Sequence, residues 1–85
     1  MTKILFTQYA NRYYAYIPEG DYRRHSLHYD DIRALDKRLS ASISSNNVET
    51  GLDGCYNNTY EFWISFKNRA DEAFFLLLTN DGLDI

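Results

Sequence analysis

Tyr60-Glu61-Phe62-Trp63-Ile64-Ser65-Phe66-Lys67 alternates without a break. Tyr60, Phe62, Ile64 and Phe66 fall on one side of an extended chain, and Glu61, Trp63, Ser65 and Lys67 on the other. This period of two predicts a β-strand with one face in a core. Asn68, the next residue, is a good helix N-cap, and Asp71 and Glu72 follow where negative charge meets the positive end of a helix dipole. Ala70, Ala73, Phe74, Leu77 and Leu78 then form a helical stripe that stops near Asn80-Asp81-Gly82. The stripe is predicted to face the core. A strand over 74–79 is the rival reading, but the cap and the spacing favour a helix.

Working back toward the N-terminus, KILFTQY (3–9) and RYYAYI (12–17) are rich in β-branched and aromatic residues, with Ala10-Asn11 between them. Asn tolerates left-handed backbone, so a tight hairpin turn is predicted there. Pro18-Glu19-Gly20 ends the second strand as a turn. A helix is predicted over 26–45, opened by Ser26, with Ile32, Leu35, Leu39 and Ile43 on one stripe and Asp30 and Asp31 near its first turn. Residues 46–58, with Gly51 and Asp53-Gly54, read as a loop. The order is ββαβα. The fold class is therefore α+β, a three-stranded antiparallel sheet with two helices on one face, which buries both helix stripes.

Composition narrows the class further. The 85 residues are read as a single domain over 1–85, with 45% apolar and 25% charged residues, ordinary for a globular protein. A net charge of −3 supplies no basic field to draw the whole molecule to nucleic acid or to an anionic membrane. The single Cys55 allows no intramolecular disulfide, which suits a reducing cytoplasm. No apolar run is long enough for a bilayer, so no membrane partner is expected.

Aromatic residues make up 16% of the chain, more than so small a core can hold. With a two-residue turn at Ala10-Asn11, Ile17 lies opposite Ile4, Ala15 opposite Phe6 and Tyr13 opposite Gln8, all on the helix side. The other side carries Leu5 opposite Tyr16, Thr7 opposite Tyr14 and Tyr9 opposite Arg12. If Phe62, Ile64 and Phe66 face the helices, Trp63 joins Tyr9, Tyr14 and Tyr16 on a far face that no helix is left to cover. Tyr9, Arg12, Tyr14, Tyr16, Trp63 and Lys67 are therefore the candidate partner-binding residues. Phe75 and Leu76 lie off the stripe of the last helix; either the core wraps most of that helix or they form the seam of a homodimer.

Catalytic constellations are weak. His25, His28 and Asp31 have a helical metal-ligand spacing, but His25 precedes the helix and no fourth ligand supports them, so no metal or other cofactor is expected. Cys55 has no neighbour that would lower its pKa. Asp30 and Asp31 point about 100° apart on a helix and do not converge on one atom. A binding protein, not an enzyme, is expected. Lys3, Arg12 and Lys67 share strand ends with the aromatic face and Arg23-Arg24-His25 follows the hairpin, a combination that also suits stacking of single-stranded RNA.

The run Tyr60-Glu61-Phe62-Trp63-Ile64-Ser65-Phe66-Lys67-Asn68 into Ala70-Asp71-Glu72-Ala73-Phe74-Phe75-Leu76 resembles the C-terminal strand–helix of small accessory proteins of T4-like tailed bacteriophages. The resemblance covers about a quarter of the chain and transfers no functional residue. It implies a non-structural, non-enzymatic protein of the host-cell cytoplasm that binds and disables a host protein, such as a defence factor. The sequence-based expectation is thus a homodimeric inhibitor acting by steric occupancy, with an RNA-associated regulator as the alternative.

Overall fold

The computed structural model describes residues 2–19, 25–43 and 46–85. Along the chain they form β1 (Lys3–Tyr9), β2 (Arg12–Tyr16), β3 (Ser26–His28), α1 (Tyr29–Ser42), β4 (Val48–Gly54), β5 (Thr59–Phe66), α2 (Arg69–Leu78) and β6 (Leu83–Asp84). The class is α+β, as the hydrophobic periods require, but the antiparallel sheet has six strands where three are predicted.

β1 and β2 form the hairpin in the predicted register: Leu5 faces Tyr16, Phe6 faces Ala15, Thr7 faces Tyr14, Gln8 faces Tyr13 and Tyr9 faces Arg12. The turn differs in one detail. Ala10, not Asn11, takes the left-handed conformation, at φ 56°.

β5 is the central strand. β4 runs along one edge of it, from Val48 opposite Phe66 to Gly54 opposite Tyr60. The opposite edge is shared, with β3 against Thr59–Glu61 and β2 against Trp63 and Ile64. β6 closes the far side, with Leu83 opposite Ile4. Gly82 leads into it at φ 86°, where a Cβ would stand 2.9 Å from the Ile4 carbonyl oxygen, so only glycine fits.

Three strands escape the sequence reading. β4 lies in the predicted loop, because Gly51, Asp53 and Gly54 are poor strand formers whose pairing with β5 outweighs propensity. The Asn57 and Asn58 turn, at φ 57° and 60°, folds β4 back on β5. β3 occupies the predicted first turn of α1: pairing with β5 puts Leu27 opposite Tyr60, buried at 1% exposure, so the helix starts at Tyr29 instead of Ser26. α1 ends at Ser42, and Ile43, expected on its stripe, is the extended residue after it.

The core joins Ile4, Tyr13, Ala15, Phe62 and Ile64 of the sheet to Leu27, Ile32, Leu35, Leu39, Phe75 and Leu83. The predicted stripe of α1 is thus confirmed at Ile32, Leu35 and Leu39. The stripe of α2 is not. Ala70, Ala73, Phe74 and Leu77 are exposed, and Phe75 is the buried residue, rotated one position (about 100°) from the predicted face. Two contacts select this rotation. The Phe75 ring packs edge-on or tilted against Phe6 and Phe66, both at 4.9 Å, and Tyr13 at 5.3 Å. On the same side of α2, Glu72 accepts a hydrogen bond of 2.5 Å from the Tyr13 hydroxyl. A buried phenol without an acceptor would cost about 1–3 kcal/mol, which adds to the ring packing of Phe75 in favour of this rotation. Burial, followed by the Glu72 hydrogen bond and charge, pushes the Tyr13 pKa up to about 12.

Candidate functional site

The side of the sheet opposite Phe75 holds the surplus rings. Period-two alternation sends Arg12, Tyr14 and Tyr16 of β2 to that side, with Tyr9 of β1 and Trp63 of β5, and cross-strand pairing sets Tyr14 beside both Thr7 and Trp63. Among the described residues both helices pack on the other side, through Ile32, Leu35, Leu39 and Phe75.

Trp63 is the centre of the face. It lies opposite Gly51 of β4, and a Cβ on Gly51 would stand 2.4 Å from the indole ring. The ring therefore lies across the strand backbone, and the glycine that weakens β4 as a strand former is what lets it do so. The Arg12 guanidinium carbon stands 3.7 Å from the Trp63 ring centroid, a cation–π contact worth about 0.5–1 kcal/mol at an exposed site. Tyr14 and Tyr16 meet a ring that the sequence reading did not place among them: His25, 5.4 Å from Tyr14 and 5.7 Å from Tyr16. His25 has a φ of 48°, a backbone state with no signature in the sequence around it.

The face is thus a mosaic more than a row of projecting rings. Arg12, Tyr14, Tyr16 and Trp63 are half-buried, Arg12 over the Trp63 ring and both tyrosines against His25, and Tyr9 alone of the predicted rings stands out, at 73% exposure. Tyr9, Tyr14, His25 and Glu61 line a shallow depression of about 250 Å³. Lys67 falls one residue past β5, where its Nζ lies 3.0 Å from a Glu49 carboxylate oxygen, so it marks the rim with its charge paired. Among the described residues Glu49, Asp53 and Glu61 sit on this side by register, as do Lys3 and its cross-strand neighbour Asp84, so both signs of charge surround Arg12 and Lys67. The Arg23-Arg24 part of the predicted basic cluster lies outside the described residues.

Elsewhere, Phe75 is removed from the candidate self-association surface, because it is 0% exposed in the core, whereas Leu76 is 46% exposed. The depression between α1 and β4, about 340 Å³, has Ile32, Leu52 and Phe62 on its walls with Arg33 and Asp36 beside them. Among the described residues no group of three or more His, Cys, Asp or Glu is placed to hold a metal ion, and no helix is long and apolar enough to cross a membrane. No protein-family model, curated protein or solved structure matches the chain.

Proposed function

We propose that the chain is a small binding protein that covers a surface of a host protein with the aromatic face of its sheet, in the manner of the tailed-phage accessory proteins that its strand–helix run resembles. The observation that carries this reading is the placement of Arg12, Tyr14, Tyr16 and Trp63 together on the side of the sheet away from both helices. Rings already packed against His25, Arg12 and the β4 backbone lose little side-chain freedom on docking, and such rigid anchors contribute roughly 2–4 kcal/mol each at an interface centre. Inhibition would follow from occupancy alone, without chemistry.

Charge favours a protein over RNA as the occupant. Glu61 lines the depression beside Tyr9 and Tyr14, and Arg12 already covers one side of the Trp63 ring, where a base would have to stack. Among the described residues, phosphates would meet the carboxylates of Glu49, Asp53 and Glu61 as well as the cations of Lys3, Arg12 and Lys67.

Immobilised wild type, Trp63→Ala and Tyr16→Ser, each checked for folding by circular dichroism, are exposed to host lysate with and without nuclease treatment. The reading expects a protein partner retained by the wild type at about 0.5 M salt and lost by both variants. Equal retention by the variants sinks the sheet face as the docking surface. Loss of the partner on nuclease treatment or at high salt reassigns the face to RNA.

A further inference from the structure

α2 is apolar on two sides, and the sheet uses one. Phe75 and Leu78 turn inward, while Ala70, Ala73, Phe74 and Leu77 form an outer stripe at spacings of three, one and three. Phe74 is 50% exposed and Leu77 80%, with Leu76 beside them at 46%. An uncharged stripe of this kind along a surface helix marks a contact. We propose that it is the self-association seam: the stripes of two copies pack antiparallel across a twofold axis that passes midway between Ala73 and Phe74.

Size and charge both favour a second copy as the occupant. Across that axis Ala70 faces Leu77 of the other copy and Ala73 faces its Phe74, so each large side chain meets an alanine and the backbones can approach closely. Charge completes the ends. α2 has no basic residue in its last turn, and the Lys3 side chain, beside Gly82, is the cation that the same copy brings near that end. The antiparallel arrangement brings Arg69 of one copy over the last turn of the other, within reach of Asp81, and does so twice. A partner with a differently spaced face would satisfy neither requirement.

A helix of ten residues is about 15 Å long, so the seam is smaller than the roughly 800 Å² per partner of a standard interface. A dissociation constant of roughly 10–100 µM is expected, corresponding to a weak interface.

Sedimentation equilibrium of the whole chain, from about 5 µM to about 1 mM, tests the seam. The wild type should fit a monomer–dimer equilibrium. Leu77→Glu should raise the dissociation constant at least tenfold with the circular dichroism spectrum unchanged. Arg69→Asp should raise it about two- to fivefold, although it suits the N-terminus of its own helix, and adding Asp81→Arg should recover most of that loss. A wild type that stays monomeric to the highest concentration overturns the proposal, as does a dimer that Leu77→Glu leaves intact. A double variant no tighter than Arg69→Asp overturns the antiparallel arrangement. Leu77 lies away from the sheet face, so this result is independent of the docking proposed above.

Discussion

The two helices pack against the same side of one sheet, yet they treat water in opposite ways. α1 buries Ile32, Leu35 and Leu39 and shows solvent Arg33, Asp36, Lys37 and Ser40, the usual division of a surface helix. α2 buries Phe75 and shows solvent Ala73, Phe74 and Leu77. The difference lies in what the sheet needed from each. α1 meets Leu27, Phe62 and Ile64, a wholly apolar floor that any apolar stripe can cover. α2 meets the rings of Phe6, Tyr13 and Phe66, on which Phe75 packs, and the Tyr13 hydroxyl, whose proton Glu72 accepts. The ring packing of Phe75 and one part-buried hydroxyl together hold the rotation that leaves the larger hydrophobic stripe outward.

The contrast is most directly broken within α2 itself. Phe75→Ala should destabilise the fold by about 3–5 kcal/mol in chemical denaturation, because it removes a ring at the junction of Phe6, Tyr13 and Phe66. Leu77→Ala, two residues on, should change the stability of the monomer by less than about 0.5 kcal/mol. Equal costs at the two positions would mean that the helix does not sit in this rotation.

Alkaline pH probes the polar contact that helps set the rotation. The Tyr13 pKa, about 12 in the folded chain, lies above the value of 10.0 for a free phenol. Its contribution to stability is therefore fully present below pH 10 and is lost as pH climbs through 12, a change on the order of 2 kcal/mol. Unfolding titrations between pH 9 and 12 should show that decline in the wild type and a smaller one in Glu72→Gln.

The helix starts give the smallest effect. The Asn68 side chain accepts hydrogen bonds from the backbone N–H groups of Ala70 at 2.8 Å and Asp71 at 3.1 Å, whereas His28 caps α1 with no side-chain bond. Asn68→Ala should cost about 1 kcal/mol, and His28→Ser should gain up to about that amount, both measured as shifts in the denaturation midpoint.

What could be read from the sequence followed the strength of local periodicity. The hairpin register, the alternation of β5 and the stripe of α1 were legible because each is a repeated pattern tied to one turn or cap. β4 was not, because its alternating Val48, Thr50 and Leu52 is interrupted by a glycine whose purpose appears only across the ladder, beneath Trp63. β3 and β6, of three and two residues, are too short to carry a period and exist through their pairing. At the candidate site, Tyr9, Arg12, Tyr14, Tyr16 and Trp63 were assigned to one side by parity alone. His25 and Glu61 were missed, because contact with Tyr14 in one case and a place in the depression in the other depend on tertiary approach. The face of α2 was misread because counting apolar residues carries no information about the rings and the phenol on other strands.

The outer side of α2 and the Trp63 face look in opposite directions, with the whole thickness of the sheet between them. A pair of chains joined back to back through their helices would carry two heads pointing away from each other, each free to engage. A target with repeated sites would then be gripped by both at once, and the second grip would form at the high effective concentration set by the first. Modest affinity at each head would suffice for tenacious hold, and dilution below the pairing threshold would release it.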